Sequence, residues 1–304
     1  MTCLVFGNAM VSNASSKIDF TTKDLVDRWM KKIPGKVVCD KAYCNKLAPD
    51  QKLDSISIPE FYIMKGEVTN AMYLWFTEEI RKSGDSDSWR NALPDTLVWR
   101  EKLAYNEPYV EYYFRHPAYA NYPVVGVSYK QAETFCAFAT KWYNQLPKRK
   151  FKKARFDLPS EAQWIYAADA GSSRKMFTWS GVHMRNEEGK IMANYYSVPE
   201  HAMVRDTING KPIVCVGATV EDHYEYFQGY DILAPSLSYF PNEFGLHNMC
   251  GNASEFVKGQ NFTKGGSWRD TGFYLRLAVR QAYQKEQSAS SQRGFRMIMV
   301  VEEV

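Results

Sequence analysis

Long hydrophobic runs are missing from this 304-residue chain. No apolar stretch approaches the roughly 20 residues that a membrane-spanning helix needs, so no such span is expected. The first residues, MTCLVFGNAMVSNASS, have no basic n-region and only a short apolar run, Cys3–Phe6, so no signal peptide is read there. Cys3 lacks the upstream apolar segment that lipid attachment requires. Histidine is scarce: His116, His183, His201, His223 and His247 are scattered, with no helix-face ligand spacing among them. No serine sits in a nucleophile elbow, which argues against a hydrolytic triad. Excess charge is also small. Lys and Arg total 38 against 34 Asp and Glu, for a net charge of +4. The one basic cluster, Lys148–Lys153 (KRKFKK), reads as a solvated turn edge, so no nucleic-acid partner is expected. There is no internal repeat.

Cysteines number six, too few and too dispersed for a disulfide framework. Only Cys39 and Cys44 (CDKAYC) are close. They are either a local disulfide of an exported protein or two free thiols, and zinc would need two further ligands that are not nearby. Cys136, Cys215 and Cys250 are isolated and read as small buried hydrophobes.

Aromatic residues, by contrast, are plentiful: 20 Tyr, 17 Phe and 8 Trp, enough to fill irregular gaps between loops. Residues 1–56 read as a polar N-terminal extension with one possible helix, Lys23–Lys32, and 57–304 as a single domain. Ser55–Met64 reads as a strand entry. Three helices follow. One is capped by Thr69, with Met72, Trp75, Phe76 and Ile80 on one face and Gly84 as its stop. Another opens on a capping box, Ser128 with Gln131, and the third on Ser160 with Gln163. Residues 85–125 and 171–265 carry little regular pattern. An inserted loop is expected at about 197–233, with VRDTINGKPIVCV as a hairpin. KGGSWRDTGFYLRLAVR (Lys264–Arg280) reads as a tight corner delivering a strand, and a final strand is expected in GFRMIMVVEEV. The fold class is α+β, rich in loops.

The motifs EVTNAMYLWF, YPVVGVSYKQAETFCAF, RFDLPSEAQWIYAADAG, FTWSG, ANYY, PNEFGLHNMCGNASEF, KGGSW and GFR stand in an order that resembles the formylglycine-generating enzyme (sulfatase-modifying factor) family, over about Ile58–Val300. The resemblance implies a compact fold related to C-type lectins. Leu93–Val127 further resembles the K and J members of the gliding-motility lipoproteins, which serve type IX secretion.

Oxidase members of that family hold Cu(I) between two cysteine thiolates, which a soft ion prefers. Aligning the Gly-Gly-Ser-aromatic turn places those positions at Asp270 and Leu275. Asp270 offers hard oxygen and Leu275 no donor, so copper is not expected, and the scattered histidines argue against iron. The resemblance also implies Ca²⁺ in HNMCGNASEF, on side-chain oxygens of Asn248 and Glu255 and backbone carbonyls of Gly251 and Ala253; a metal-free Asn/Gly turn is the other reading. A second calcium site would use Asn194 and Tyr195 with Gln228 and Tyr230, where Gln228 replaces the family's carboxylate. Arg280 and Arg296 are read as locking loops onto carbonyls or pairing with acids such as Glu161.

The leading expectation is a non-catalytic envelope scaffold that works with protein partners of a secretion or motility complex. It would be extracytoplasmic, with membrane association only through a lipid anchor not visible in this sequence. An enzyme of the family with an atypical site and a calcium-dependent lectin-like binding module are the alternatives.

Overall fold

A computed structural model describes residues 25–100, 106–197, 203–208, 211–216, 232–284 and 288–304. Its central sheet has four antiparallel strands in the order Met30–Ile33, Phe61–Met64, Ile298–Glu303, Lys153–Asp157. Met30 lies opposite Met64 and Ile33 opposite Phe61, while Ile298 lies between Ile63 and Asp157. The edge strand Met30–Ile33 therefore belongs to the domain, so the sheet begins well before residue 57. The expected helix Lys23–Lys32 is cut to Leu25–Trp29 by that pairing. The strand entry is two strands, Ile56–Ile58 and Phe61–Met64, separated at Pro59, which cannot donate to a ladder.

Two long helices cover this sheet. Asn70–Lys82 begins where Thr69 Oγ1 accepts from the Met72 amide. Tyr129–Gln145 begins at the capping box of Ser128 and Gln131, and Glu161–Ala168 at that of Ser160 and Gln163. The first two meet through aromatic side chains: Tyr73 stacks on Phe135 at 5.5 Å, and Phe76 meets Phe135 edge-on at 5.2 Å. Flat rings can interlock across a shallow helix crossing, where each such pair contributes about 0.5–1.5 kcal/mol beyond its buried area.

A second small sheet carries the functional loops, in the order Gln281–Ala282, Phe262–Lys264, Ser254–Phe256, Arg293–Gly294, with the last pair parallel. Its strands are two or three residues long. The expected hairpin forms from Met203–Ile208 and Lys211–Val216. Between 85 and 125 the chain is more helical than its pattern suggests: Ser86–Ala92, Glu107–Tyr112 and the 3₁₀ turns Thr96–Trp99 and Pro117–Tyr119. Local caps start three of these, with Asp85 accepting from the Ser88 amide, Asp95 from the Leu97 amide and His116 Nδ1 from the Ala118 amide.

Lys264–Arg280 holds no strand after Lys264 and delivers only the two-residue strand Gln281–Ala282. It turns repeatedly, and its apolar residues Leu275 and Leu277 point into the core. Cys39 and Cys44 are free thiols: Cys39 is exposed, whereas Cys44 is buried and donates to the Val38 carbonyl at 3.5 Å. Cys136 and Cys250 are buried as expected.

Candidate functional site

The loop leaving Phe61–Met64 brings Gly66 and Glu67 against the segments 232–238 and 247–253. A Cβ on Gly66 would lie 2.2 Å from the Ser236 carbonyl oxygen, so only glycine allows this approach. Glu67 is then fully enclosed. Its Oε1 accepts from Asn252 Nδ2 at 2.8 Å. Its Oε2 accepts from Ser236 Oγ at 3.0 Å and Asn248 Nδ2 at 3.3 Å. Burial pushes this carboxyl up to about 7, with the Glu255 charge adding to the rise and Arg296 opposing it.

Glu255, in the strand Ser254–Phe256, faces Arg296. The Arg296 Nε lies 2.8 Å from both carboxylate oxygens and Nη2 2.7 Å from Oε1. Trp164 Nε1 donates to Oε2 at 2.7 Å. The guanidinium also reaches the carbonyls of Met64 at 3.2 Å and His247 at 2.8 Å. Arginine's planar fork thus joins the central sheet, the small sheet and the loop between them.

The Asn248–Glu255 loop curls because three of its residues adopt positive φ: Asn248 at 53°, Gly251 at 79° and Asn252 at 64°. A Cβ on Gly251 would lie 2.3 Å from the Asn194 carbonyl oxygen. Asn252 is the hub. Its backbone amide donates to the Asn194 carbonyl at 2.7 Å, and its Oδ1 accepts from the Ala234 amide at 2.7 Å and Asn194 Nδ2 at 3.3 Å.

The structure therefore brings Asn194, Asn248, Gly251, Ala253 and Glu255 into one buried region. Gln228 and Tyr230 lie outside the described residues. Glu255 is not a free carboxylate. A carboxylate has about four lone-pair directions, and here Arg296 and Trp164 occupy them, so the donor set expected at 248–255 does not fit calcium at this residue. Asn194 fits a cation better. Its Nδ2 donates to the Ile232 carbonyl at 2.9 Å, but its Oδ1 is buried without a hydrogen-bond partner. A buried acceptor left in that state costs about 1–3 kcal/mol unless something meets it. Tyr195 packs against the apolar cluster around Trp164.

At the corner, Asp270 closes a turn. Its Oδ2 accepts from the Ser267 amide at 2.8 Å and Ser267 Oγ at 2.6 Å, and its Oδ1 from Gln281 Nε2 at 2.8 Å. Leu275 is completely buried. The thiol near it, Cys250, donates to the Leu275 carbonyl at 3.1 Å, and burial pushes it up to about 12, so it carries its proton at neutral pH.

A second charged centre lies behind the corner. Arg280 holds Glu161 with two bonds, Nε at 2.8 Å and Nη2 at 2.6 Å, and also meets Asp50 at 2.8 Å. The expected Arg280–Glu161 pair is thus present. Lys264 is fully enclosed beside them, 3.5 Å from Glu161 Oε1, and burial lowers it to about 8.

Glu67, Asn252 and Ser236 were not among the sequence-read site residues. The readable signal was Glu67 itself, an acid within the largely apolar FYIMKGEVTNAMYLWF, where Lys65 is the one other charge.

This fold and its glycine-pinned loops define a sulfatase-modifying-factor type of domain. The family described as "Sulfatase-modifying factor enzyme 1-like domain" matches residues 33–301, and the chain belongs to it. It is 26% identical over 221 residues to the formylglycine-generating enzyme of Mus musculus and 25% to that of Bos taurus, in each case over 66% of this chain. The matches cover 50% and 49% of those proteins, so the chain spans about half the length of these relatives. Among solved structures, PvdO from Pseudomonas aeruginosa shares the fold at 18% identity with a TM-score of 0.54, over 90% of this chain and 94% of that one.

Proposed function

We propose that the chain is a non-catalytic member of its family, a structural protein of the cell envelope that works through protein–protein contacts, as the gliding-motility and type IX secretion components it resembles do. The observation that supports this reading is the state of the two copper positions. The Asp270 carboxylate is held by Ser267 and Gln281, and the Leu275 side chain belongs to the core. Neither can present a thiolate, and the nearby Cys250 thiol is protonated. The test is incubation with Cu(I), oxygen and a cysteine-containing sulfatase peptide. No oxygen uptake and no formylglycine are expected; conversion of the peptide would revive the reading of an enzyme with an atypical site. Co-purification from native envelopes should recover defined protein partners.

A second reading, a calcium-dependent ligand-binding module, is favoured by the unpartnered Asn194 Oδ1. Calcium is proposed there, beside Tyr195, whereas at Glu255 the Arg296 guanidinium stands where a cation would be needed. A rise in melting temperature with millimolar calcium that Asn194→Ala abolishes would support it.

A further inference from the structure

One face of the molecule carries apolar side chains that the core does not use. A pocket of about 240 Å³ opens between Thr178, Trp179, Met192, Phe240, Pro241 and Glu243. Its Trp179 wall is fixed, because the ring stacks on Phe177 at 4.9 Å and Nε1 donates to the His183 carbonyl at 2.8 Å. Its opposite wall is pinned as well. Asn242 donates to the Ala167 carbonyl at 2.7 Å and the Ala168 carbonyl at 3.0 Å, which anchors the loop that presents Phe240.

The apolar surface continues from this pocket to the corner. The Met192 amide donates to the Met184 carbonyl at 3.0 Å, and Met184 Sδ lies 3.4 Å from where a Cβ on Gly272 would sit. Phe273 and Tyr274 follow, their rings 5.4 Å apart, and the Met176 carbonyl accepts from the Leu277 amide. Met176, Val182, Phe240, Phe273 and Tyr274 make up five of the ten large apolar side chains that stand exposed among the described residues, so the exposure is concentrated rather than scattered. Concentrated aromatic and methionine surface of this kind marks interaction sites.

Charge narrows the occupant. Glu243, the carboxylate of the pocket, is neutralised by Lys175, and Asp270 is buried under Ser267 and Gln281. Arg276 lies over the Phe273 ring at 4.9 Å, and both it and Arg174, close to Met176 in the chain, are exposed without an ion pair among the described residues. Size narrows it further. Small-molecule pockets run to roughly 300–1,000 Å³, whereas this one suits a single large side chain, with apolar surface extending well beyond it.

We propose that the face formed by Trp179, Met192, Phe240, Phe273 and Arg276 is a docking surface for an acidic polypeptide segment that inserts one aromatic side chain into the pocket. The proposal rests on the protein-interaction reading and names the chemistry of the partner. A rigid aromatic pocket lowers the ordering cost of such an anchor, and the arginines steer the acidic flanks.

The test titrates the whole chain with three capped pentapeptides, Asp-Glu-Phe-Asp-Glu, Asp-Glu-Ala-Asp-Glu and Lys-Arg-Phe-Lys-Arg, and with chitotriose, by calorimetry. The acidic phenylalanine peptide should bind at least tenfold more tightly than the other two and more tightly than the sugar. The exposed-site variants Phe240→Ser and Phe273→Ser, checked for unchanged melting temperature, should each weaken it at least fivefold. Equal binding of all three peptides, no peptide binding, preference for the sugar, or affinity unchanged in both variants would overturn the proposal. Recovery of native partners by the Phe240→Ser/Phe273→Ser protein would remove this face and leave the scaffold reading standing. Peptide binding without any native partner would do the reverse.

Discussion

Two buried charged centres in this molecule solve the same problem with different residues. Around Glu255, one arginine meets both carboxylate oxygens and two carbonyls, and Trp164 completes the set. Around Glu161, Arg280 meets both carboxylate oxygens from a partly exposed position, and the fully enclosed cation is Lys264, 3.5 Å from Glu161 Oε1 and over the Trp164 ring at 5.9 Å. A guanidinium spreads its charge over five donors in a plane, so it can be enclosed and still satisfied. An ammonium is compact and strongly hydrated, and one long carboxylate contact and a ring face replace little of its water. The first centre should therefore carry stability, while the second is held by Arg280 and tolerates Lys264.

The largest effect should come from Arg296→Leu. It leaves Glu255 buried and unpaired and should cost about 3–5 kcal/mol, read by urea unfolding; a loss below 1 kcal/mol would erase the contrast between the centres. Glu67 sharpens it next. Its folded pKa, about 7, lies above its ordinary value of 4.5, so between these pH values the folded state keeps a proton that the unfolded chain has released. The folded state then binds more protons, and stability falls as pH rises from 4.5 to 7, by a few kcal/mol, and levels off above. Relative to wild type, Glu67→Gln should lack this fall, and parallel pH profiles of the two proteins would contradict it. Lys264→Met should be neutral or stabilise by roughly 1 kcal/mol, because Glu161 keeps Arg280 and no charge is orphaned. Last, Asp50→Ala should leave the melting temperature unchanged within error, since Asp50 is an exposed third member of its cluster.

The sequence was most legible where local chemistry is self-contained. Both capping boxes mark their helices correctly, because each is closed by side chains three residues apart. It was least legible where partners are distant. The strands Ser254–Phe256 and Arg293–Gly294 are too short for an alternating pattern, and they exist because their neighbours do. The helices Ser86–Ala92 and Glu107–Tyr112 are short and lack an apolar stripe long enough to read. At the site, the resemblance put Asn248 and Glu255 in one loop and Asn194 in a separate one; Arg296 was legible as a loop lock onto carbonyls or acids, which it is, but not as the partner of Glu255. Nothing in the spacing of residues 255 and 296 announces that pairing. Glu67 was readable only as an acid in largely apolar company, and its partners come from two separate loops distant in the chain.

The order of the central sheet has a consequence for synthesis. Ile298–Glu303 lies between Phe61–Met64 and Lys153–Asp157, so two strands made early wait for one made late. On the ribosome, the chain emerges with those two inner edges unpaired, and Arg296, the clamp on Glu255, arrives only moments before the closing strand. Folding of the core is therefore tied to the release of the region around residue 300, and until then the nascent chain depends on whatever shields open strand edges in its compartment.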